Sequence, residues 1–230
     1  MSEKEQYYEM LQKSRVFKGI SKEALPQLLN ELGGYFKSYK KHETVRHGGE
    51  GLASLGLVLC GEIQASMPNM EKDQIIERFV AGETFGEAAV FANQVSPVEI
   101  KAMEPSVLVF LPAKEILNGY KNPDIARLGM NLLQETARKT LKLSMKIRIL
   151  KEKRLRVRIM MYLKSLTPDA NGILTMNYNR TDLAQYLGAN RSALSRELAL
   201  MCEAGMIKVE KQKVKILNPM IWKMMQEEMA

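Results

Sequence analysis

The spacing of apolar positions changes several times along this chain, and each change predicts a different kind of element. Up to about residue 34 the pattern is helical. Leu25, Leu28, Leu29 and Leu32 recur three and four apart, Ser21-Lys22 stands where a cap belongs, and Gly33-Gly34 ends the run. From Tyr35 the apolar runs become short and rich in Val, Ile, Leu and Phe: YFKSYKK, TVRH, SLGLVLCGEIQASM, QIIERFVAG, VEIKAM and SVLVFL. Turn-like breaks separate them at Gly48-Gly49, Gly61, Pro68-Asn69, Gly82, Pro97 and Pro105. Six or more short strands punctuated in this way, with no helix between them, predict an antiparallel sandwich or roll. Gly61, after LVLC, reads as a tight hairpin or a bulge. Within AGETFGEAAVF, Gly82 and Gly86 free the backbone, and EAAVF predicts a single helical turn behind Gly86.

A second helical region follows. A short helix to about Asn118 leads to Asn122, a cap, and Pro123, suited to a first helical position. A long helix is then expected to about Lys151. Along it Ala126, Met130, Leu133, Ala137, Thr140, Ser144 and Ile147 keep the four-three spacing of a two-stranded coiled coil. Leu128, Leu132, Leu141, Leu143 and Leu150 widen the apolar surface, as they would if one side met a second subunit and the other covered the sheet domain. A simple core helix is the alternative. Length speaks against it, because about thirty residues extend roughly 45 Å.

The last third predicts a helix over Arg154 to about Leu166 with Leu155, Ile159, Met160 and Leu163 inward, the turn TPDANG, and a strand at ILTMN. Two short helices joined by a tight turn then occupy 179–206. Asn179 caps the first, with Asp182 at capping-box spacing, and Asn190 caps the second. Ala184, Gly188 and Leu194 supply the small contact, the turn and the core anchor that a helix-turn-helix needs. Leu194, Leu198 and Met201 share one face of the second helix. Arg191, Ser192, Ser195 and Arg196 fall on the other, in the turns that a recognition helix presents to base edges. Beyond Gly205, MIKVE and VKIL alternate as a two-stranded wing, and Pro219 to Met229 reads as a closing helix. The expected fold class is α+β: a β-roll domain over 1–120, a dimerisation helix over 121–153 and a winged helix-turn-helix over 154–230.

Charge sharpens the picture. The 230 residues carry a net +8, with ten Lys or Arg and one acid, Glu152, between Arg138 and Arg158. That concentration just before the helical hairpin suits nucleic acid. The start MSEKEQYYEM lacks an apolar run, and no stretch could span a membrane, so neither signal peptide nor membrane partner is expected and a cytoplasmic setting is natural. Cys60 and Cys202 fall in different predicted domains and predict no disulfide. His42 and His47 have no partner at metal-ligand spacing, so no metal site is expected. No nucleophile elbow, P-loop or Cys-His protease signature appears, and an enzyme is not expected.

VFKGISKEAL, VLCGEIQA, AGETFGE, KNPDI and LGANRSALSRELALMCEAGMI, in that order, resemble the Crp/Fnr superfamily of bacterial transcription regulators. The resemblance implies a homodimer, paired through the long helix, that binds palindromic double-stranded DNA and engages RNA polymerase. It places Arg191 and Arg196 at the two arginine positions of the recognition helix, Ser195 at a serine, and Arg180 at a phosphate-contacting arginine. With Asn190 and Ser192 these form the expected DNA-binding set. Ser192 departs from the Glu of many members, which leaves base preference at that step open.

The sensor loop implied by the resemblance comprises Gly86, Glu87 and Ala88, with Thr140 near a base-contacting threonine. Glu87 would suit a sugar hydroxyl, and backbone N–H groups there a phosphate. The arginine that neutralises a cyclic phosphate should lie near Gln94 to Val98, where the chain reads QVSPV. Without that charge-assisted partner, cyclic AMP is not expected as effector, and no cofactor is assigned. The cysteine cluster of the iron–sulfur members and the haem-binding histidine are also missing. The sequence therefore predicts a dimeric DNA-binding regulator controlled by an unidentified effector in the roll, with an effector-independent regulator as the alternative.

Overall fold

The computed structural model describes residues 3–51, 53–67, 74–118, 122–176 and 178–218. They form two compact units, 1–139 and 140–230.

The first unit opens with α1 (Glu3–Lys13), a 3-10 turn (Arg15–Phe17) and α2 (Leu25–Leu32). Leu25, Leu28, Leu29 and Leu32 are all buried, and Gly33 closes α2 in the left-handed region. Eight strands follow: β1 (Tyr35–Tyr39), β2 (Thr44–Arg46), β3 (Ser54–Cys60), β4 (Glu62–Met67), β5 (Gln74–Val80), β6 (Thr84–Phe85), β7 (Glu99–Ala102) and β8 (Ser106–Pro112). Between β6 and β7 lies α3 (Glu87–Phe91). The strands make two antiparallel four-stranded sheets, ordered β1-β8-β3-β6 and β2-β7-β4-β5. Consecutive strands mostly change sheet, which makes the domain a roll; within it β4 and β5 are successive strands that pair directly.

The uninterrupted apolar runs of β3 and β8 have a simple cause: both strands are buried on two faces. Leu108 and Phe110 point into the core between the sheets, while Val109 and Leu111 point into a second core built with the helices. Leu57 and Val58 divide in the same way. Such strands lose the polar-out alternation of a half-solvated sheet. Gly56 leaves the space that the Phe85 ring fills.

Of the two expectations at Gly61 the hairpin is overturned, while a register shift between Val58 and Cys60 in the β3–β8 pairing puts an irregularity just before it. β3 pairs with β6 and β8, β4 with β5 and β7, so Gly61 carries the chain from one sheet to the other. Its φ is +87°, and a Cβ there would stand 2.2 Å from Ser106 Oγ and 2.7 Å from the Pro105 carbonyl oxygen. The two sheet-to-sheet crossings, 60–62 and 103–106, are packed against each other at that point.

After α4 (Ala113–Asn118), α5 runs without interruption from Pro123 to Lys151. Asn122 caps it, its Oδ1 accepting from Asp124 N at 2.9 Å. Ile125, Leu128 and Leu132 bury into the roll, each worth about 1.5–3 kcal/mol relative to exposure. Ile149 belongs to the core of the second unit. Met130, Leu133, Leu141, Leu143 and Ile147 are exposed in the single chain.

In the second unit α6 (Leu155–Lys164), β9 (Ile173–Thr175), α7 (Arg180–Tyr186), α8 (Arg191–Glu203), β10 (Ile207–Glu210) and β11 (Lys213–Ile216) share one core. The wing gains a strand over the expectation: β9 pairs with β11, giving the order β10-β11-β9. The expected turn at Pro68-Asn69 and helix from Pro219 to Met229 lie outside the described residues. Among the described residues no helix is long and apolar enough to cross a membrane.

Candidate functional site

Asn179 begins the site. Its Oδ1 accepts from Thr181 N at 2.9 Å and Asp182 N at 3.0 Å, and its Nδ2 donates to the Asp182 carboxylate at 2.7 Å. These bonds fix the first turn of α7, where Arg180 sits with its Nη1 buried and without a hydrogen-bond partner. Leu187 and Gly188 then turn the chain, Gly188 at φ +61°. Asn190 Oδ1 accepts from Ala193 N at 2.7 Å and from the Ser192 hydroxyl at 2.8 Å, so α8 starts from a doubly used cap. On α8 Leu194, Leu198 and Met201 are buried, while Arg191, Ser192, Ser195 and Arg196 are exposed. The helix ends in a Schellman arrangement, with Met206 N bonded to Met201 O and Gly205 N to Cys202 O, both at 3.0 Å.

Two arginines of α6 hold this pair of helices from behind, and sequence reasoning missed both. Arg158 Nη1 donates to the carbonyls of Leu187 at 2.5 Å and Gly188 at 3.0 Å, and thus caps the open end of α7 at the turn. Arg156 Nε donates to Glu197 Oε1 at 2.5 Å, joining α6 to the recognition helix. Nearby, Lys146 lies 5.1 Å from the centroid of the Tyr186 ring, which stacks on Tyr178, and burial pushes the Tyr186 phenol up. Lys139 and Arg138 pair with Glu87 and Glu135. At least half of the ten basic residues between Arg138 and Arg158 are thus engaged within the fold. The only available signal was an Arg-x-Arg inside an amphipathic helix with no acid of its own.

In the roll, Gly86 (φ +83°) turns the chain into α3. Glu87 is 4% exposed; its Oε1 accepts from Thr84 Oγ1 and lies 2.7 Å from Lys139 Nζ. The structure brings Gly86, Glu87 and Ala88 together as neighbours at the start of this turn. Thr140 opens the second unit on an exposed side of α5, and it is Lys139, its neighbour in sequence, that reaches the loop. Gln94 to Val98 lie between α3 and β7, where Gly49 N donates to the Ser96 carbonyl.

Comparison with known proteins decides the family. Residues 36–122 match the model of the cyclic nucleotide-binding domain, and residues 157–220 that of the Crp-like helix-turn-helix domain. The chain belongs to the Crp/Fnr superfamily of transcription regulators. As a Crp/Fnr regulator it carries a helix-turn-helix of the DNA-binding kind after a cyclic-nucleotide-binding-type roll. Its fold is that of a CooA variant from Carboxydothermus hydrogenoformans, at TM-score 0.67 and 17% identity over 89% of this chain and 90% of that one. The c-di-GMP-responsive global regulator CLP of Xanthomonas campestris aligns at TM-score 0.61 and 16% identity over 86% and 100%. The catabolite activator protein of Thermus thermophilus aligns at 0.53 and 19% over 94% and 100%. No curated protein matches the chain in sequence.

Proposed function

We propose that this Crp/Fnr regulator acts in the cytoplasm as a homodimer, paired through α5, that binds a palindromic operator, engages RNA polymerase and takes an effector in its roll. One observation carries the DNA reading. Arg191, Ser192, Ser195 and Arg196 are exposed together on α8, opposite the buried Leu194, Leu198 and Met201. Arginine can fork onto guanine O6 and N7. Ser192 spends its proton on Asn190, so it offers DNA a lone pair, suited to the amino groups of cytosine or adenine. Asn190 Oδ1 is committed to the helix, which leaves its side-chain amide nitrogen to donate. Arg180, half-buried in the first turn of α7, is proposed as the phosphate contact from its place at the start of the helix.

The effector reading rests on the roll's Gly86, Glu87 and Ala88, with Thr140 left as the weakest member. The absence of arginine in QVSPV argues against cyclic AMP. An effector-independent regulator is the second reading, and the Lys139–Glu87 pair favours it, because the loop's carboxylate already holds a cation. Selection of binding sites from random duplexes, followed by titration of the winning sequence at graded salt, tests the proposal. Palindromic half-sites one helical turn apart are expected. Recovery of no preferred sequence, with binding lost even at low salt, would overturn it.

A further inference from the structure

Lys139 makes more contacts than a surface lysine needs. Its Nζ donates to the Thr84 carbonyl, lies 3.2 Å from Thr84 Oγ1 and 2.7 Å from Glu87 Oε1, and rests 5.2 Å from the centroid of the Phe79 ring. An ammonium has three donors, and here a carbonyl, a hydroxyl and a carboxylate take them while an aromatic face covers the charge. Thr84, 1% exposed, serves as the hinge of the cluster: its hydroxyl donates to Glu87 and accepts from Lys139. Glu87 has little access to solvent, so these two partners take the place of water around its carboxylate.

We propose that Lys139 is the resident ligand of the roll. The chain's own ammonium takes the carboxylate that a ribose hydroxyl would need, ties α3 to α5 with no small molecule, and thereby excludes sugar-bearing effectors from this loop. A neutral hydroxyl cannot match the charge-assisted bond it would have to displace. A cyclic phosphate would gain no compensation, because residues 94–98 contain no cation. Only a ligand bringing its own cationic N–H donor, such as an ammonium group, is chemically equipped to compete for Glu87. The inference rests on the effector-independent reading and names the chemistry that a ligand would need to displace Lys139.

The full-length protein tests it by hydrogen exchange of the 84–92 segment and by thermal shift. The comparison is between wild type, Lys139→Ala and the double variant Lys139→Ala/Glu87→Gln. In Lys139→Ala, amide exchange in α3 should rise about tenfold or more, because a buried carboxylate has lost its counter-charge. Millimolar n-propylammonium should restore protection to Lys139→Ala, and should do nothing for wild type or the double variant. Cyclic AMP and cyclic GMP should leave the wild-type melting temperature unchanged. Should Lys139→Ala fail to fold, Lys139→Met keeps the stem over Phe79 and removes only the charge, and the double variant removes both charges. Unchanged α3 exchange in these variants would overturn the proposal, as would rescue by propylammonium without Glu87 or tight cyclic-nucleotide binding by wild type. None of these readouts uses DNA, so failure of the DNA-binding reading shows separately, as absence of operator binding by the same preparations.

Discussion

Gly61 shows how much a single methyl group can matter here. Its positive φ and the 2.2 Å approach of Ser106 Oγ leave no place for a Cβ at the crossing between the sheets. Gly61→Ala should lower stability by about 1–3 kcal/mol or more, read as a fall in the denaturant midpoint of the roll with its slope unchanged. On α8 the residues that matter have the opposite character, exposed and free of packing. Arg191→Ala or Arg196→Ala should leave the fold intact and cost about 1–3 kcal/mol of operator affinity per forked guanine contact. Fluorescence anisotropy with operator and scrambled duplexes checks this, since equal losses on both would remove base readout from these residues. Ser192→Glu should shift the preference toward cytosine at its step, because a carboxylate accepts from cytosine N4.

At the scale of elements, α5 carries two sets of apolar residues with different fates. Ile125, Leu128 and Leu132 are spent on the roll, while Met130 at 56%, Leu133 at 61% and Leu141 at 71% exposure have no cover in the single chain. A stripe this apolar on a helix this long is the natural seat of a second copy. Leu133→Glu should therefore cost the single chain less than about 0.5 kcal/mol. It should nevertheless shift sedimentation from dimer to monomer and abolish tight operator binding. A dimer that survives Leu133→Glu would move the interface off this face. The α6 element acts by anchoring: Arg158 and Arg156 hold the turn and the recognition helix, so α6, α7 and α8 present their outer residues as one rigid piece.

Across the whole molecule the net charge of +8 overstates what is available to DNA. Lys139, Lys146, Arg156 and Arg158 have partners within their own units, and their charge is partly spent there. The salt dependence of binding should accordingly follow the few phosphate contacts of the helix-turn-helix. Arg180→Ala should weaken operator and non-specific DNA alike and reduce the slope of log K against log salt by about one. A slope unchanged by that variant would remove Arg180 from the phosphate contacts.

Element types were legible in the sequence because local rules decide them: periods of two and three to four, caps at Asn122, Asn179 and Asn190, and glycines after α2 and α8. The family signature and the outer face of α8 followed from the same short-range patterns. Sheet membership was not legible, since a turn at Gly61 has the same local chemistry whether it closes a hairpin or crosses between sheets. Nor could the sequence pair Lys139 with Glu87, 52 positions apart, or aim Arg158 at the carbonyls of Leu187 and Gly188. Those contacts depend on which helix and loop the fold brings side by side. Periodicity fixes what each segment is, and only tertiary packing decides which charges meet.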